Sequence, residues 1–163
     1  MADKKHYDVE LAKAGFANGI STQLADKFKK HKMIDIHLSE QEKHVIIQDA
    51  AKAFGKFLDA LGVDWKNDPN SSDTPNRVAK AYVNDLWAGR FNPMPEITAF
   101  PADGYDGIVF EGNIPLTSMC SHHHQTIQGR VHIAYIPGPG GKVIGLSKLN
   151  RIVEHFGRRG AIQ

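Results

Sequence analysis

Apolar positions recur every three or four residues between residues 39 and 89, and the pattern then changes to short alternating runs. Ser39 and Glu42 stand in the S-x-x-E spacing of a capping box, which satisfies two otherwise orphaned amides at a helix start. Ile47, Ala50, Ala51, Phe54, Phe57, Leu58 and Leu61 follow at helical spacing, and Gly62 is the expected stop. After the polar stretch DWKNDPNSSD, Thr74 and Pro75 read as N-cap and first helical residue. Val78, Ala79, Tyr82 and Leu86 make a second amphipathic helix that ends near Gly89. Beyond Pro93 and Pro95 the runs GIVFEG, IPLTSMC and TIQGRVHIAYIP read as strands. PGPGG is a turn signal, so TIQGRVHIAYIP and KVIG are expected to form an antiparallel hairpin. A third helix is expected from Ser147, with Leu149, Ile152, Val153 and Phe156 as its buried stripe.

Residues 1–36 are Lys-rich and polar, with scattered apolar positions at Leu11, Phe16, Leu24 and Phe28. They read as an N-terminal arm or a peripheral helix, with a docking arm for a partner subunit as the alternative. Residues 37–163 read as one α+β domain. Its β-rich half offers only three or four short strands, and uncovered sheet edges are a liability for a whole domain. The expectation is a C-terminally incomplete domain, or strands supplied by another subunit.

Composition narrows the function classes. The 163 residues carry 20 Lys plus Arg against 18 Asp plus Glu, a formal net charge of +2, which gives no general case for nucleic acid or a membrane surface. One cysteine, Cys120, excludes an intrachain disulfide framework. No apolar run approaches the roughly 20 residues that cross a bilayer, and the N-terminus has no apolar signal core. A cytoplasmic protein is the expectation.

Two stretches carry candidate chemistry. Cys120-Ser121-His122-His123-His124 combines a thiol with imidazoles, a donor set that suits zinc. Cys120 and His123 could reach one ion from a tight turn, but a catalytic zinc takes about three protein ligands. His132, His155 and His44 are equal candidates for the third. The competing reading is a buried cysteine followed by surface histidines. His132 alternates with Val131 and Ile133 and reads as a structural histidine. The second stretch is GLSKLNR, residues 145–151. Ser147 would cap the helix, and Lys148 and Arg151 share one face, which together describe a phosphate pocket. The competing reading is an ordinary capped helix with two solvated cations. Arg158 and Arg159 read as a solvated helix end, and Trp65 and Trp87 as packing residues.

TPNRVAKAY, PLTSMCSHH and GRVHIAYIPGPGGKVIGLSKLNRIVEHFGRR together resemble GTP cyclohydrolase I, from about residue 39 to the last residue. The resemblance implies a tunnelling fold (T-fold): N-terminal helices, antiparallel strands and long helices, with subunits joined into a ring-type homo-oligomer, usually a decamer. Active sites then lie at subunit interfaces. It implies Zn2+ held by Cys120 and His123, with His122 as proton donor or acceptor. It implies Lys148 and Arg151 on the triphosphate of GTP, Ser147 beside them, and Gln163 in the substrate pocket. The reaction implied is hydrolytic opening of the guanine imidazole ring, with release of formate and formation of 7,8-dihydroneopterin triphosphate in pteridine or folate-type biosynthesis.

This sequence departs from the family's pattern at Ser121, where Glu is usual, and at His124, where a larger apolar residue is common. The latter would make the lining beside the metal more polar. The family's second half, with an acidic residue, a further histidine, a third zinc ligand and an arginine, falls beyond Gln163. The alternatives are an inactive truncated subunit that only assembles or binds nucleotide, another tunnelling-fold enzyme, and a plain metal-binding scaffold.

Overall fold

The computed structural model describes Lys27 and residues 37–160, and the arm expected over residues 1–36, apart from Lys27, lies outside the described residues, as does Gln163. The fold is α+β, with helices leading, two antiparallel strand pairs following, and a last helix packed on the longer pair.

Helix α1 spans Glu40–Ala60. Its capping box forms as the spacing predicts: Ser39 Oγ accepts from the Glu42 N–H, and the Glu42 carboxylate accepts from the Ser39 N–H at 2.7 Å. Its end is also legible. Gly62 sits at φ +72°, the left-handed conformation glycine tolerates best, while Val63 N–H reaches Leu58 O and Gly62 N–H reaches Asp59 O. The expected apolar face is buried only in part, since Phe57 and Leu61 remain 54% and 62% exposed. The covering helix is the reason. Helix α2 is only Thr74–Ala81, so it spans little more than a third of the length of α1.

Helix α2 starts one residue earlier than the sequence reading placed it. Thr74 is its first residue, and the N-cap position falls on Asp73, which pairs with Arg77 at 3.3 Å. The chain then widens into a π-helical turn, Tyr82–Leu86, closed by a bond from Trp87 N–H to Tyr82 O at 2.9 Å. A short helix α3, Ala88–Phe91, carries the chain past Gly89, where a stop was expected. Gly89 serves a different purpose: it lets α3 meet the last helix. Leu38, Ile47, Ala79, Val83 and Phe91 form the core of this helical layer, with Trp87 packed against it.

Strand β1 is Ala99–Pro101, β2 is Val109–Met119, β3 is Thr126–Tyr135 and β4 is Lys142–Ile144. The runs GIVFEG and IPLTSMC are thus one strand, not two. A bulge joins them: Glu111 pairs with Ile133 and Ile114 with Val131, so β2 spends one more residue than β3. Asn113 takes φ +58° there. The extra residue flips which parity faces inward, from Val109 and Glu111 to Ile114, Leu116 and Ser118. That break in alternation is why the strand reads as two in sequence.

The hairpin expected between TIQGRVHIAYIP and KVIG does not form. β3 pairs with β2, and β4 pairs with β1 in the register Ala99↔Ile144 to Pro101↔Lys142. Pro137 and Pro139 have no N–H to donate. The turn at Gly138–Gly141 closes on itself at 2.7 Å, and the chain leaves β3 instead of doubling back. β4 still touches β3 where the Ile144 N–H donates to the Tyr135 hydroxyl at 2.6 Å.

Helix α4 spans Leu146–Gly157 and packs on β2 through buried Leu149 and Val153. Two expectations fail on it. Ser147 does not cap: the N-cap is Gly145, whose N–H is held by Thr98 O and whose carbonyl takes the Lys148 N–H at 2.8 Å. Phe156 is 48% exposed, under the Arg159 guanidinium at 4.5 Å, while His155 takes the buried place beside it. Nor are Arg158 and Arg159 merely solvated. Arg158 pairs with Asp85 and Glu154, and Arg159 Nε donates to Gly89 O at 3.3 Å. Both therefore tie α4 to the segment around α3.

Candidate active site

The hairpin loop between β2 and β3 carries the C-S-H-H-H sequence, and two backbone bonds shape it. Cys120 N–H donates to Gln125 O and His124 N–H donates to Cys120 O, both at 2.9 Å. The first extends the ladder one residue past Met119↔Thr126. The second closes one helical turn that carries Ser121, His122 and His123.

Cys120 is buried at the floor of this turn, and its Sγ lies 3.8 Å from His122 Nδ1. The His122 and His123 rings are 6.2 Å apart and both residues are exposed. One thiol and two exposed imidazoles thus share a single turn, with His122 Nδ1 placed against the thiol. This fits zinc in the kind of donor and falls short in number. Among the described residues no group of three His, Cys, Asp or Glu side chains assembles.

The three histidines considered as a further ligand are each placed elsewhere. His132 Nδ1 accepts from the Asn113 N–H at 3.2 Å, and its ring stacks on Phe110, so it secures the bulge as a structural histidine. It lies seven to eight β2 residues from Cys120, about 25 Å along an extended strand. His44 is exposed on α1 beside Gln48. His155 is buried where α3 meets α4.

His124 departs from the expectation that it lines the metal. It turns toward the π-helical segment, where its Nδ1 meets the Tyr82 hydroxyl at 3.1 Å and its ring packs 5.5 Å from that of Trp87. Tyr82 and Trp87 themselves meet edge to face at 5.3 Å. Burial raises the pKa of the Tyr82 phenol above its usual value. Helical periodicity could not reveal this grouping. Tyr82 and Trp87 are five residues apart, a spacing that the widened π turn accommodates.

Lys148 and Arg151 stand near the start of α4, and neither makes a salt bridge with a described residue. Ser147 is exposed next to them. The other end of α4 rests on β2 near the loop, since a Cβ on Gly157 would lie 2.7 Å from Leu116 Cδ1 and 3.2 Å from Thr117 O. Nine residues of helix, about 13 Å, separate Lys148 from that contact. Within one chain the cationic pair and the Cys-His turn therefore occupy opposite ends of α4.

The described residues around Trp87 contain further unusual chemistry. Trp87 Nε1, Arg90 Nε and His155 Nε2 are buried without a hydrogen-bond partner. Arg90 stacks over Trp87 at 5.2 Å, and burial pushes its guanidinium below the ordinary range. None of the described helices is long and apolar enough to cross a membrane.

A family model described as GTP cyclohydrolase I matches residues 50–163. GTP cyclohydrolase 1 of Aeromonas salmonicida is 41% identical over 128 residues, covering 77% of this chain and 56% of that protein. The protein of the same name from Flavobacterium johnsoniae is 38% identical over 144 residues, covering 79% of this chain and 63% of that protein. That from Shewanella amazonensis is 34% identical over 155 residues, covering 94% of this chain and 69% of its own length. The chain thus spans little more than half the length of the first of these relatives.

Proposed function

The chain belongs to the GTP cyclohydrolase I family, and on that premise we propose that it acts on GTP, opening the guanine imidazole ring by hydrolysis to give 7,8-dihydroneopterin triphosphate and formate. The observation that carries this reading is the closed turn from Cys120 to Gln125, with one thiol and two exposed imidazoles in a single loop. Cys120 and His123 would hold zinc, with a third ligand from outside the described residues. Bound zinc would lower the pKa of a coordinated water toward about 7, supplying hydroxide at neutral pH.

The other roles belong to the chain's own side chains. His122 would move a proton at an imidazole nitrogen of the guanine, a task suited to a side chain that can both donate and accept. Lys148 and Arg151 would bind the triphosphate through an ammonium and a forked guanidinium, with Ser147 beside them. Gln163 would face the substrate pocket. Binding energy from the triphosphate would orient the base at the Cys-His turn.

The separation of the two groups along α4 favours a site shared between subunits, within a tunnelling-fold ring. Each subunit would offer its Cys-His turn to one site and its α4 cations to another. A second reading is a subunit that binds nucleotide and assembles without turnover, since among the described residues no group of three metal-binding side chains assembles. Calorimetric titration with GTP and measurement of bound zinc test the binding half of the proposal. Arg151→Ala should weaken GTP binding at least tenfold and leave zinc in place, whereas Cys120→Ala should lose zinc. Equal GTP affinity in Arg151→Ala and the unaltered chain would remove the triphosphate assignment.

A further inference from the structure

We infer that Tyr82 and Trp87 clamp His124, and that this clamp sets the aim of His122 and His123. His124 is then a positioning residue for the reaction proposed above, on which reading the inference rests. Its backbone supplies the first argument. His124 sits at φ +54°, an uncommon conformation outside glycine that histidine takes more readily than most residues, at the end of the turn its N–H closes on Cys120 O. Its ring is held from the other side by the bond to the Tyr82 hydroxyl at 3.1 Å and by ring contacts with Tyr82 and Trp87 at 5.8 and 5.5 Å.

The clamp depends on the π-helical turn. The bond from Trp87 N–H to Tyr82 O spans five residues and brings both rings to the same side. Such widened turns recur at functional sites. The lever is equally short. His124 N–H donates to Cys120 O, so fixing His124 fixes the two ends of the turn that carries His122 and His123. His124 is held by Tyr82 through Nδ1 and is coupled to the loop through its own N–H.

Two variants separate these parts. Tyr82→Phe keeps the ring and loses the hydroxyl, and His124→Phe keeps ring packing and loses Nδ1. Amide hydrogen exchange at Cys120 and His124 reports the loop without requiring activity, and cobalt(II) affinity reports the aim of the ligands. Both variants should speed exchange at these amides about five- to tenfold, the size of effect expected from one lost hydrogen bond. Cobalt affinity should fall in similar proportion, with exchange in α1 unchanged. Unaltered loop exchange in both variants would overturn the clamp. Faster exchange with unaltered cobalt affinity would overturn its role in aiming the ligands. If the unaltered chain takes up no cobalt, the metal reading fails on its own account and the exchange data alone decide the clamp.

Discussion

A Cβ placed on Gly89 would stand 1.8 Å from the carbonyl oxygen of His155. No side chain fits there, so the α3–α4 crossing depends on glycine for close approach, not for an unusual φ. Gly89→Ala must push the two helices apart and disturb buried Arg90, Phe91 and His155. The expected cost is about 3 kcal/mol, the upper part of the range for overpacking. Urea denaturation measures it. Gly62→Ala is the control: nothing lies within 4 Å, so only its φ of +72° opposes a side chain, and the cost should be nearer 1 kcal/mol.

The capping box at the start of α1 makes a second, smaller prediction. Ser39→Ala removes one acceptor from an exposed helix terminus and should cost about 1 kcal/mol. Its thermal midpoint should fall by a few degrees, with the fold unchanged by circular dichroism.

His155 gives a pH dependence of defined sign. Burial holds its imidazole below the ordinary value of 6.5, and the His37 charge acts in the same direction. The unfolded chain therefore binds this proton first as the pH falls. The stability His155 permits is complete above pH 6.5 and declines as the pH drops toward its folded value. His155→Leu should show a flatter stability profile between about pH 7 and 5.5. Parallel profiles in that window would mean that His155 takes up its proton as readily folded as unfolded.

Triphosphate binding by Lys148 and Arg151 would be largely electrostatic. GTP affinity should fall as salt rises. Lys148→Ala should flatten that dependence along with weakening binding, since one cation no longer contributes. Inorganic triphosphate should compete with GTP for the same side chains.

Local signals were the legible part of this sequence. Ser39 with Glu42 fixed the start of α1 and Gly62 its end, because each acts through bonds within a few residues. Leu149 and Val153 were readable from periodicity alone. Failures arose where partners are remote. β4 pairs with β1 some 43 residues earlier, and no turn pattern announces that choice. The Asn113 bulge shifted the alternation and split β2 in two. Val83 was absent from the expected core face, yet it is 2% exposed within the π-helical turn. Within the site, Cys120, His122 and His123 were legible as a cluster, since they are adjacent in sequence. The grouping of His124 with Tyr82 and Trp87 was not, because it joins two elements 42 residues apart.

The proposed reaction opens the imidazole ring of GTP, and formate release reports that step. The assay uses the zinc-supplied chain, with His122→Ala and Cys120→Ala in parallel. Formate is expected from the unaltered chain, none from His122→Ala despite retained zinc, and neither formate nor zinc in Cys120→Ala. Zinc and GTP bound to the unaltered chain with no formate released would contradict it, and would leave the chain as a nucleotide-binding subunit.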